Sequence, residues 1–210
     1  MSDDVAYPVF RTPDLALALS TARRLMEFGR RPCSQVSVAA QLSSVAEVRR
    51  LGERLPGGRF EGYARYDEFD GVPWDEQPVL VIGVDGADLP ADPAAYEGRF
   101  PVACELRSLP VGSIEDAFTA AIGRNRGEVH WDELYWPDAP EVGLHGESKH
   151  AEVTLLCNTL TRDLDEPADE HIVLVHVRSA RVGGRQLREP YARWLAEQVG
   201  LTVIGPGRLW

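Results

Sequence analysis

Hydrophobic spacing punctuates the first half of the chain clearly. Leu15, Leu19, Ala22 and Met26 recur at helical intervals between Thr12 and Gly29, with Thr12 placed to cap and Pro13 suited to a first helical turn. Gln35 to Gln41 alternates, with Val36 and Val38 on one face, and predicts a strand. Ser44-Val45-Ala46-Glu47 is a capping box that opens a helix carrying Val45, Val48 and Leu55, stopped by Pro56-Gly57-Gly58. A strand from Arg59 to Tyr66 leads to an Asp70-Gly71 turn. Pro78 to Val84 is nearly all apolar, the pattern of a central strand covered on both faces. Phe100 to Leu106 predicts a further strand, followed by a helix capped by Ser113 with Ile114, Phe118, Ala121 and Ile122 on one side.

In the second half, Ser148 is placed to cap a helix running to about Thr161, which would turn Val153, Leu156, Cys157, Leu160 and Leu164 inward. His171 to Val177 reads as a buried strand, Gly183-Gly184 as a turn, and Tyr191, Trp194, Leu195 and Val199 as the stripe of a helix ended by Gly200. Leu201 to Ile204 then predicts a terminal strand beside residues 172–177. Strand, helix and strand in succession imply β-α-β units. The expected fold is therefore α/β with a mostly parallel C-terminal sheet, mixed α+β being the alternative. The Asp-, Pro- and Gly-rich stretch from Asp85 to Gly98 marks a soft boundary, giving either one domain or two packed halves, residues 1–98 and 99–210. Met1 to Tyr7 shows no pattern, so its removal is expected to be tolerated, whereas loss of the residues from Leu201 onward is expected to be costly.

Length and charge narrow the class. With 210 residues the chain can bury a core without staples, and its three cysteines, lacking a C-x-x-C pair, suit a reducing, cytoplasmic setting. No apolar run reaches the roughly 20 residues of a membrane span, and acidic residues stand at the amino terminus where a signal peptide would be basic. The net charge is -11, concentrated between Glu61 and Glu97 and again from Asp163 to Glu170. Such a field repels phosphate backbones, which argues against extended nucleic-acid binding; a basic protein is the candidate partner, with a solvated, solubilising surface as the alternative reading.

Two stretches carry candidate chemistry. Trp131, Tyr135 and Trp136 lie in the irregular region from Arg124 to Glu147 and are the binding residues expected of an aromatic contact loop, with lidding of the core as the alternative. His145-Gly146-Glu147-Ser148-Lys149-His150-Ala151-Glu152 gathers two of the five histidines with two carboxylates. Its His150-Ala151-Glu152 resembles the His-x-Glu of zinc-dependent nucleoside and nucleic-acid deaminases, in which the histidine binds zinc and the glutamate shuttles protons at the start of a helix. That resemblance implies His150 as a zinc ligand and Glu152 as the catalytic acid–base. The family's Pro-Cys-x-x-Cys is replaced here by Ser179-Ala180-Arg181-Val182-Gly183-Gly184, so two ligands are missing. His145 and Cys157 are the other donors from which a metal set can be drawn; Cys157 reads equally as a small buried apolar residue. Glu147-x-x-His150 lacks the second pair of a di-iron bundle, and no H-E-x-x-H, P-loop, G-x-G-x-x-G or G-x-S-x-G pattern occurs. The leading expectation is an accessory or protein-binding module, immunity- or antagonist-like, without cofactor, contacting its partner through the 61–97 segment and the aromatic loop. The alternative is a metal-dependent hydrolase with zinc at the degenerate deaminase-like site.

Overall fold

The structure, a computed structural model, describes residues 4–62, 82–178, 181–182, 185–186 and 188–210. In chain order the elements are β1 (Asp4–Thr12), α1 (Leu15–Gly29), β2 (Gln35–Leu42), α2 (Val45–Arg54), β3 (Arg59–Gly62), β4 (Ile82–Asp85), β5 (Val102–Pro110), α3 (Glu115–Ile122), β6 (Arg126–Asp132), β7 (Glu152–Thr159), β8 (Pro167–Arg178), the short ribbon β9 (Arg181–Val182) and β10 (Arg185–Gln186), α4 (Arg188–Gln198) and β11 (Arg208–Leu209). Nine strands form one open sheet in the order β11-β1-β8-β7-β6-β2-β5-β3-β4, and every pairing in it is antiparallel.

This corrects the expected parallel sheet of β-α-β units. The apolar run after Ser148 is strand β7, not a helix, and it turns back directly into β8 as a hairpin. Val153, Leu156, Cys157 and Leu160 satisfy a helical spacing, yet the strand is buried on both faces, so apolar residues fall on either side of it and mimic that spacing. The terminal strand is displaced as well: Leu201 to Ile204 is irregular, and β11 pairs with β1 rather than with β8. β1 itself, in the segment without evident pattern, lies inside the sheet between β11 and β8. β4 closes the opposite end of the strand order rather than its centre. The Asp70-Gly71 turn and most of the 61–97 acidic segment lie outside the described residues.

The helices pack against one face of the sheet, α1 across β1, β7 and β8, α4 across β1 and β8, and α3 across β2 and β6, with α2 against α3. On that face Val36, Val38, Val129, Val153, Val173 and Val175 share one core with the buried stripe of α1, Ala18, Leu19, Ala22, Leu25 and Met26. Caps fix the starts of α1 and α2. Asp14 Oδ1 accepts the Leu17 N–H (3.0 Å), two residues beyond the expected Thr12 cap. Ser44 Oγ accepts from Glu47 N (3.3 Å) as the capping box foretold, while the Glu47 carboxylate reaches one residue further back, to Ser43 N (2.9 Å). α3 starts without a side-chain cap: the expected Ser113 donates to Pro110 O instead, and the Glu115 carboxylate accepts from Gly112 N and Ile114 N in the turn ahead of the helix. Among the described residues no helix is long and apolar enough to cross a membrane.

Candidate functional site

Because side chains alternate along a strand, the residues between those valines project from the other sheet face, on which none of the described helices packs. On β6 these are Glu128, His130 and Asp132; on β7 Glu152, Thr154 and Leu156; on β8 Ile172, Leu174 and His176; on β1 Asp4 and Ala6. The register sets them side by side, His130 opposite Thr154 and Glu152 opposite His176. Ala6, Leu156, Ile172 and Leu174 make a small apolar cluster of their own there, with Leu160 and Trp210 packed against it.

Next to that cluster a chain of hydrogen bonds crosses the strands. His176 Nδ1 lies 3.0 Å from Asp4 Oδ2, His176 Nε2 2.9 Å from Thr154 Oγ1, and Thr154 Oγ1 2.9 Å from His130 Nδ1. Burial holds both imidazoles neutral: His130 is pushed down to about 3, by burial first and then by His176, and His176 is lowered by burial against the opposing pull of Asp4. Neutral rings with Asp4 as acceptor leave one consistent orientation. His176 donates Nδ1–H to Asp4, the Thr154 hydroxyl donates to His176 Nε2, and His130 donates Nδ1–H to Thr154. His130 Nε2 is then a bare acceptor facing Glu152 Oε2 at 3.5 Å. Glu152 is raised to about 7 by burial and by the nearby Asp4 and Asp132, which leaves it a proton to share at neutral pH. The Trp210 ring covers His176 edge-on at 4.8 Å, and the Arg162 guanidinium lies 5.6 Å over Trp210.

Beside His130 the same face opens into a cleft of about 560 Å³ floored by β2, β5 and β6, with Arg162, Asp163 and Leu164 of the β7–β8 turn at its rim. Gln41 Nε2 ties that turn down through Asp163 O at 3.1 Å. The histidine chain is satisfied along its length, but the cleft is not. Glu128 Oε2 and Asp132 Oδ1 are buried and find no hydrogen-bond donor among the described residues, and the same holds for Asp4 Oδ1. Burial raises both Glu128, to about 7, and Asp132. A buried acceptor without a donor costs about 1–3 kcal/mol, so these atoms are primed to accept a bond from a ligand.

The residues expected from the sequence are scattered by comparison. His145 is almost fully exposed, 3.9 Å from Asp138. Cys157 faces the helices, buried, its thiol pushed up to about 12, so it offers neither a thiolate nor a place in a cluster on the open face. His150 and Glu152 do come together, joined by Asp4: one donor atom from each lies within 4.8 Å of the other two. Glu152 begins a strand instead of sitting in the first turn of a helix, which removes the structural basis of the deaminase resemblance. Trp131 and Trp136 are wholly buried, donating their indole N–H groups to Glu115 Oε1 (3.0 Å) and His176 O (2.7 Å), and of the aromatic loop Tyr135 alone is exposed. Asp4, His130 and Thr154 were not singled out from the sequence. The alternation of Val5, Tyr7 and Val9, and the histidine set inside the β8 run, are the signals that could have found them.

Comparison with protein-family models, with curated proteins and with solved structures returned no match.

Proposed function

We propose that the chain is a non-catalytic accessory module that binds a basic protein, and that the open-face cleft receives a Lys or Arg side chain of that partner. The observation that carries this reading is the pair of donorless, buried carboxylate oxygens on Glu128 and Asp132, spaced along β6 on the floor of the cleft. Ammonium and guanidinium groups bring several N–H donors and no acceptor, so they complete such a floor and remove the repulsion within it. The net charge of -11 supports the same partner, because complementary fields speed encounter and exclude acidic competitors. Small acidic proteins that neutralise a basic partner, as immunity and antagonist proteins do, stand in this charge relation. The contact surface in this reading is the sheet face opposite the described helices, with Trp131 and Trp136 withdrawn into the core.

A fluorescent hexa-arginine peptide tests it. Binding should be saturable and fall steeply with added salt. The double variant Glu128→Gln/Asp132→Asn should weaken it by about 2 kcal/mol, roughly thirty-fold, within the range of close interfacial charge pairs. Binding that is absent, or that the double variant leaves unchanged, overturns the reading.

A further inference from the structure

We infer that Asp4, His150 and Glu152 form a binding site for one first-row divalent cation, of the zinc or manganese kind. The site lies at the Asp4 end of the histidine chain, with Glu152 adjoining His130 at the edge of the cleft, and it uses neither of the unpartnered oxygens of Glu128 and Asp132.

Three observations meet here. The first is the donor set. One oxygen from each of two carboxylates and one imidazole nitrogen lie within 4.8 Å of one another. Atoms bound to zinc at about 2.1 Å stand up to about 4.2 Å apart, so small side-chain rotations close the set. Imidazole with two carboxylates suits zinc or manganese better than an all-oxygen calcium or magnesium site. Two carboxylates and a divalent ion are also electroneutral, which makes the buried pair tolerable.

The second is an orphaned acceptor. The Asp4 side chain is only 8% exposed, and although Oδ2 accepts from His176, Oδ1 is buried with no donor among the described residues. Every other hydrogen-bonding atom of the chain leading away from Asp4, through His176 and Thr154 to His130 Nδ1, has its partner. A single unmet acceptor at the head of an otherwise satisfied network marks where a further electrophile belongs.

The third is the outer shell. The His176–Thr154–His130 chain fixes the orientation of Asp4, and Glu152 Oε2 lies 3.5 Å from His130 and 3.8 Å from His176. Ligands of metal centres are held by hydrogen-bonded partners in this way, and loss of such partners weakens metal binding. Three protein ligands leave the remaining positions of the ion to water.

The test is metal titration of the chelator-treated full chain, followed by calorimetry and thermal melting, with cobalt absorption bands reporting an imidazole and carboxylate environment. The expected result is one zinc or manganese ion per chain, bound more tightly than magnesium, and a melting temperature that rises with the ion. His150→Gly removes one ligand and suits the backbone, since His150 holds φ at 65, a region natural to glycine. This variant and Glu152→Gln should each lower affinity at least about tenfold and abolish the metal-dependent rise in melting temperature. Glu128→Gln/Asp132→Asn, which neutralises the carboxylate floor, should keep one ion per chain. A wild-type chain that takes up neither zinc nor manganese overturns the inference. So does either single variant that folds and binds the ion with wild-type affinity.

Discussion

At the scale of single residues, the histidine chain turns on Thr154. Its hydroxyl donates to one imidazole and accepts from the other, so one buried oxygen closes both bonds. Thr154→Val keeps the shape but leaves His176 Nε2 and His130 Nδ1–H without partners, at about 1–3 kcal/mol for each. Urea unfolding should show a loss of about 2–4 kcal/mol for Thr154→Val and under about half that for Thr154→Ser, which retains the hydroxyl. Equal losses in the two variants would show that the hydroxyl bridges nothing. Glu128 behaves differently, because its carboxyl is raised from 4.5 in a free chain to about 7 in the fold. Between those pH values the folded state binds more protons than the unfolded, so Glu128 stabilises below about pH 4.5 and its contribution is lost as pH rises to 7. Glu128→Gln cannot titrate. Its stability relative to wild type should therefore improve by about 2 kcal/mol between pH 5 and pH 8, with denaturant midpoints at the two pH values as the measurement. A gap that stays constant would mean that the carboxyl is hydrated in the fold.

At the scale of elements, legibility followed the number of faces each element buries. Helix α1 shows the core one stripe, and the recurrence of Leu19, Ala22 and Met26 gave it away; α2 was marked by its capping box. Strand β2 reads plainly too, its burial alternating residue by residue. Strands β7 and β8 bury both faces, and an apolar run without alternation carries no period to read, so β7 passed for a helix and the hairpin for a crossover. β-branched Val153, Thr154 and Thr159 were the local hint of a strand. Close backbone approach hides from any pattern in the same way. An added Cβ at Gly127 of β6 would stand 2.6 Å from the carbonyl oxygen of Ala39 and 3.0 Å from Ile122 and Phe118 of α3. β2 cannot retreat, since β5 holds its other edge. Gly127→Ala should cost about 1–3 kcal/mol by overpacking, while Gly57→Ala, with open space around it, should stay within about 0.5 kcal/mol of wild type. Thermal melts of the two variants decide whether that contact is as tight as it stands.

At the scale of the whole molecule, the candidate site depends on joining the two ends of the chain, which is why the sequence concealed it. His150 and Glu152 stand two residues apart and were visible together; Asp4, which completes their cluster, reaches them because β1 enters the sheet beside β8. The carboxy-terminal residues then close over it. Ile204 N donates to Pro8 O at 2.8 Å, β11 adds to the free edge of β1, and Trp210 N donates to Asp4 O at 3.1 Å while its ring caps His176. β1 is thus flanked on both edges, with Val5, Tyr7 and Val9 buried beneath the helices, and β11 is a two-residue strand at the rim. This removes the ground for expecting residues 1–7 to be dispensable, and it narrows the terminal strand to Arg208 and Leu209, while Leu201 stays buried in the core. Removing residues 1–7 strips interior pairing from β8 and takes Val5 and Tyr7 out of the core, several kcal/mol at about 25 cal/mol per Å² of apolar surface, a large share of what holds a domain together. Removing Arg208 to Trp210 takes two strand residues and one capping ring. The longer amino-terminal deletion should yield an aggregating product, and the carboxy-terminal one a soluble chain with a lowered but cooperative melt. A soluble, cooperatively melting protein that lacks residues 1–7 would show that β1 is peripheral, and with it the junction on which Asp4, His176 and Glu152 depend.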